Sequence, residues 1–174
     1  MPATARKINA AQRAQALVND LADVLQRPGA FQGEPLVVEN QIAQTKSIHV
    51  VVIWDAWDGL SPTERSKVIL DAYAKAKRHR GSTITVAMGL TSEEALRGGF
   101  LPYSIVTTRR QGDKVSPDEL AQAMARAGGI VLKVGSSTQL RFATREQAED
   151  AYRQLSQKVP GPYWAIVQEL RSGE

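Results

Sequence analysis

Two carboxylates close a short aromatic turn, Trp54-Asp55-Ala56-Trp57-Asp58-Gly59, and a third, Glu64, follows within one helical turn of it. Oxygen ligands in such a set suit a hard divalent cation, and a carboxylate pair suits general acid/base work. The same residues have a plainer use. Asp58-Gly59 forms a turn, Glu64 answers Ser61 across a helix start, and Trp54 and Trp57 pack between sheet and helix. The plainer use is the stronger reading, and it expects at least one of the two tryptophans to be largely buried.

The remaining chemistry-bearing residues are few. His49 and His79 cannot make a histidine metal site without carboxylate help, and the chain has no cysteine, which excludes disulfides, thiolate metal sites and a cysteine nucleophile. There is no Gly-x-Ser-x-Gly elbow, no Gly-x-x-x-x-Gly-Lys-Ser/Thr phosphate loop, no Gly-x-Gly-x-x-Gly and no His-Glu-x-x-His. No residue is therefore assigned to catalysis, to a cofactor or to a metal, and an enzyme is the less favoured class.

Charge is more informative. The net charge is +4, but residues 61–115 carry ten Lys/Arg against five Asp/Glu, while the segments on either side are nearly balanced. Lys75, Lys77, Arg78 and Arg80, joined by Arg109 and Arg110 from a neighbouring strand, make a candidate binding surface for phosphate or an acidic partner. Cations also collect at a helix C-terminus because they complement its dipole, and that explanation competes with binding.

The elements that must position these residues follow from periodicity. Ala11, Ala14, Val18, Leu21 and Leu25 predict a helix over Asn9–Gln26, ended by Arg27-Pro28-Gly29. Leu36-Val37-Val38 and Ile48 to Ile53 predict two strands joined as a hairpin through Thr45-Lys46. Ser61-Pro62-Thr63-Glu64 then predicts a capped helix running to Gly81. A strand over Ser82–Leu90, a short helix capped at Thr91 and a strand over Tyr103–Arg109 come next. The order then repeats: a second Ser-Pro-x-Glu cap at Ser116, a helix to Gly128-Gly129, a hairpin of Ile130–Val134 with Gln139–Ala143, a helix capped at Thr144, and a strand from Tyr163. The fold class is α+β, as two small helix-strand-strand-helix-strand units over residues 1–100 and 101–174. A mixed or antiparallel sheet carries the helices on one face, either as separate sheets or as one sheet in common.

The run His49-Val50-Val51-Val52-Ile53-Trp54-Asp55-Ala56-Trp57-Asp58-Gly59, with Ser61 and Arg65 after it, resembles the core of the BolA family. In that family a strand starting with His leads through an aromatic-acidic-Gly turn into a helix carrying an Arg. Thr83 to Glu94 is similar to the family's last strand and following turn. The resemblance spans about residues 8–97 and implies a fold like a type II KH domain. Two positions depart from it. Ser66 stands where the family has His after its Arg, and Ser82-Thr83 lacks the His that helps ligate an iron–sulfur cluster with a glutaredoxin partner. In the second unit, Leu140 to Ala148 is more faintly similar to RNA-recognition folds, without their exposed stacking aromatics.

These readings lead to a non-catalytic binding or adaptor protein, with a protein or nucleic acid as partner and no cofactor. Sequence-independent nucleic-acid binding through the basic middle segment and a carboxylate metal-dependent enzyme on Asp55, Asp58 and Glu64 are the alternatives. With 43% apolar and 23% charged residues and no apolar run near the roughly 20 residues that span a bilayer, no membrane helix is expected. The N-terminal stretch lacks the apolar core of a secretory signal. A cytoplasmic location is expected, and the sequence leaves the oligomeric state open.

Overall fold

Four helices begin on the same device. In the computed structural model, which describes residues 10–27, 35–78, 81–108, 114–134, 137–159 and 162–169, Ser61, Thr91, Ser116 and Thr144 are each an N-cap. Their hydroxyls accept from the backbone N–H three residues on, and Glu64, Glu94, Glu119 and Gln147 reach back to the cap. Each box satisfies donors that a helix start leaves unpaired. These caps open α2 (Pro62–Ala76), α3 (Ser92–Arg97), α4 (Pro117–Arg126) and α5 (Arg145–Lys158), and α1 (Ala10–Gln26) precedes them. Ser61→Ala and Ser116→Ala are each expected to lower stability by about 1 kcal/mol in chemical denaturation. A change within error for both would show that the boxes contribute nothing.

The strands are β1 (Leu36–Gln41), β2 (Ser47–Ile53), β3 (Thr83–Leu90), β4 (Tyr103–Thr108), β5 (Ile130–Val134), β6 (Ser137–Phe142) and β7 (Tyr163–Gln168). They form two sheets, in the orders β1-β2-β3 and β5-β6-β4-β7. The chain is α+β, as its patterns predict. It divides into two compact units, one of Met1–Ala30, Glu39–Val52 and Ala56–Gly89, the other of Phe31–Val38, Ile53–Asp55 and Leu90–Glu174.

In the first sheet β2 is central, and its apolar residues reflect that position: Ile48 and the run Val50, Val51, Val52 and Ile53 are all buried. Thr45 shapes the turn into β2, its hydroxyl donating to Ile42 O and accepting from Ser47 N. Thr83 N bonds Lys46 O at one end and Trp54 N bonds Leu90 O at the other, so β2 and β3 run in the same direction with α2 as their crossover. The apolar stripe of α1 (Leu17, Val18, Leu21, Ala22, Leu25) is buried, as are Val68, Ile69, Ala72 and Tyr73 of α2, against which α1 packs.

The second sheet is antiparallel throughout, and β4 lies between β6 and β7. A strand therefore precedes the repeated order, making this unit strand-helix-strand-strand-helix-strand. Its core holds Ile105, Met124, Leu140, Phe142, Ala148, Ala151, Leu155 and Trp164. One helix end also differs from expectation. α2 stops at Ala76 with Lys77 in the left-handed region (φ 53°), four residues before Gly81. Among the described residues, no helix is long and apolar enough to cross a membrane.

Candidate functional site

Two of the three carboxylates at the acidic turn serve helix starts. Asp55 Oδ1 accepts from Ser92 N at 2.7 Å and so serves the start of α3. Glu64 Oε2 accepts from Ser61 N at 2.8 Å and from Ser61 Oγ at 2.7 Å, and these two bonds hold its carboxyl below the ordinary range. At Asp58 it is the backbone carbonyl that is engaged, by Arg13 Nη2 at 2.5 Å. Trp57 is fully buried and donates its Nε1–H to Val52 O at 3.0 Å, while Trp54 is half-buried. The expectation of at least one buried tryptophan is met by Trp57. No group of three His, Cys, Asp or Glu among the described residues is placed to hold a metal ion. His49 is half-buried on β2, and His79 lies outside the described residues.

Arg65 and Ser66, at the start of α2, are tied to the strands. Arg65 is 7% exposed and donates to Leu60 O (2.9 Å) and Gly89 O (3.2 Å). Ser66 Oγ lies 2.7 Å from Ala87 O. The bonds to Gly89 O and Ala87 O fasten the crossover helix to β3.

The basic candidates do not all face solvent. Arg78 makes a two-pronged pair with Glu39, Nε to Oε1 at 2.9 Å and Nη2 to Oε2 at 3.2 Å, and its Nη1 donates to Leu25 O at 3.1 Å. Tyr73 donates its hydroxyl to the same Glu39 oxygen at 2.5 Å. The bond to Glu39 raises the Arg78 pKa, and burial first, then Glu39, raises that of Tyr73. Arg78 thus joins the ends of α1 and α2 to β1. Lys75 is exposed with Nζ on Asn19 Oδ1 at 2.6 Å, and Lys77 is exposed at the helix cap. Arg80, Arg109 and Arg110 lie outside the described residues, so only Lys75, Lys77 and Arg78 of the six can be placed.

On the second sheet, Leu140 and Phe142 turn into the core and Arg141 between them turns the other way, opposite Ser104 on β4. Both Arg141 and Ser104 are buried. Arg141 donates to Gln139 Oε1 (2.7 Å) and Glu169 Oε1 (2.5 Å), and the bond from Arg141 lowers the Glu169 pKa. This face of the second sheet therefore carries a buried guanidinium, from a residue that lies between two core residues in sequence.

A concave feature of this unit lies between α4 and α5. Glu119, Gln122, Ala123 and Arg126 of α4, with Ala127 at its C-cap, form one stripe at spacings of three and four. Gln154, Leu155 and Lys158 of α5, with Val159 at its C-cap, face them, and Lys114 and Val115 complete a cavity of about 480 Å³. Ala123 and Ala127 leave the space that larger residues would fill. Lys114, Arg126 and Lys158 are exposed on its rim. Its acid, Glu119, is turned back to Ser116 N at 2.9 Å, and that bond, with the one from the Ser116 hydroxyl, holds its pKa low. Sequence reasoning missed this groove because Lys114, Arg126 and Lys158 form no run; the visible signal was a helical stripe of alanines flanked by cations. Comparisons with protein-family models, with curated proteins and with solved structures each return no match.

Proposed function

We propose that the chain is a non-catalytic binding protein, cytoplasmic, with the α4–α5 groove as its binding surface. The observation that carries this reading is the groove itself: apolar floor from Ala123, Ala127, Leu155 and Val159, cations Lys114, Arg126 and Lys158 around it, and a volume of about 480 Å³, within the range usual for ligand sites. Two of the three carboxylates that an enzyme would use, those of Asp55 and Glu64, are engaged at helix starts, which weighs in the same direction. The protein isolated from its native cell and examined by native mass spectrometry should carry a bound species of defined mass. That species should be lost from an Arg126→Glu, Lys158→Glu variant. Bare protein, or equal loading of the variant, would remove the groove as the binding surface.

The first unit is read as BolA-like in fold. Its order, α1-β1-β2-α2-β3, with β2 and β3 parallel and β1 on the other side of β2, supports that reading. Nucleic acid is the second reading of the partner, favoured by the exposure of Lys75 and Lys77. The engagement of Arg78 by Glu39 and the burial of Arg141 reduce what either unit offers to phosphates or bases.

A further inference from the structure

The groove has two chemically distinct parts, and a ligand must answer both. Its floor is aliphatic. Its rim holds three cations, Lys114, Arg126 and Lys158, none of which has a salt-bridge or hydrogen-bond partner among the described residues, against the one carboxylate of Glu119, already engaged by Ser116. Cations left unpaired beside an apolar surface favour an anionic head joined to an apolar body, because neither inorganic phosphate nor a neutral hydrocarbon satisfies both parts. The α4 stripe from Glu119 to Ala127 covers eight residue steps, about 12 Å of helix rise, roughly the span of an extended chain of ten carbons. An amphipathic protein helix, about 10–12 Å across with its side chains, would have most of its bulk outside so small a cavity.

We infer that the α4–α5 groove binds a medium-chain aliphatic carboxylate, its chain along Ala123, Ala127, Leu155 and Val159 and its carboxylate among the basic residues of the rim. This rests on the groove being the binding surface, and names the ligand class that surface takes. No covalent step is involved: the carboxylate arrives ionised and exchanges water for the cations.

Binding is tested on the full chain with decanoate, below its micelle concentration, by calorimetry and by amide and methyl NMR. Decanoate should bind saturably, with shifts centred on Ala123, Ala127, Leu155 and Val159. Hexanoate should bind at least tenfold more weakly, since each buried methylene is worth up to about fourfold. Decanol, which keeps the chain and lacks the charge, should also be weaker, and inorganic phosphate should give no groove shifts. Arg126→Glu with Lys158→Glu, both exposed positions, should weaken decanoate about tenfold without altering the fold seen by circular dichroism. Ala123→Leu, which narrows the groove and keeps every charge, should weaken it as well. Equal affinity for decanol and decanoate, shifts centred elsewhere, or an acidic amphipathic peptide that binds where decanoate does not would each overturn the inference. Should decanoate fail while a native species is still lost from the charge-reversed variant, the ligand class is wrong and the groove remains the binding surface. Loss of neither would remove both.

Discussion

Replacing Trp57 with alanine is expected to cost the first unit about 3–5 kcal/mol, as truncation of a fully buried aromatic does. Trp57 is 0% exposed, and its Nε1–H is bonded to Val52 O. The walls around it cannot close on the space it would leave. On one side Gly89 brings the backbone of β3 so near that a Cβ there would lie 3.1 Å from Trp57 Cε2 and 2.8 Å from Arg65 Cβ. Arg65 is itself fixed to Gly89 O and Leu60 O. Trp57→Phe should cost less, since it keeps most of the volume and gives up the indole hydrogen bond, an exchange worth about 1–2 kcal/mol. The half-buried Trp54 supplies the contrast, with a smaller loss on truncation. Urea denaturation followed by far-ultraviolet circular dichroism measures all three. A loss below about 1 kcal/mol for Trp57→Ala would mean that the turn is not anchored by this ring.

What was legible in the sequence is what local chemistry decides. The Ser-x-x-Glu boxes at Ser61 and Ser116 satisfy their own helix starts whatever surrounds them, so both were readable from four residues. The β-branched run of β2 marked it as a strand, while its central place in the sheet comes from pairing on both edges. The end of α2 was not readable, because a non-local pair sets it. Lys77 takes a left-handed backbone that lysine does not favour, and Arg78 beyond it reaches Glu39 and Leu25 O, residues more than thirty positions away. The place of β4 was equally non-local, since its partners β6 and β7 come some thirty to sixty residues later.

The candidate site follows the same division. A run such as Lys75 to Arg80 is conspicuous in sequence, yet Arg78 is half-buried against Glu39, and proximity in sequence said nothing of that. The groove cations are scattered across Lys114, Arg126 and Lys158, and only the packing of α4 against α5 makes them neighbours of one cavity. A search for dense charge finds surface segments. A search for small residues on a helix stripe, with cations one turn away, would have found the groove.

Gly129→Ala is expected to destabilise the second unit by about 2–5 kcal/mol, from two separable causes. The first is backbone conformation: Gly129 has φ +82°, a left-handed region that costs an L-residue about 1–2 kcal/mol. The second is space. A Cβ on Gly129 would stand 2.8 Å from Arg141 O and 2.8 Å from Phe142 Cζ, with Phe142 Cε1 nearer still, and overpacking of that kind costs about 1–3 kcal/mol. Gly81→Ala isolates the first cause, because Gly81 has φ +93° and nothing within 4 Å of its added Cβ. It should lose about 1–2 kcal/mol. The excess at Gly129 then reports the collision with β6. Shortening the ring by Phe142→Leu should recover part of that excess in a double-mutant cycle, since the Arg141 carbonyl remains in the way. Equal losses at Gly81 and Gly129 would show that β6 yields freely and that the glycine is required for the turn alone. The reading of Gly128-Gly129 as a helix stop explains a positive φ, which both residues have; the approach of Phe142 explains why the second of them must have no side chain.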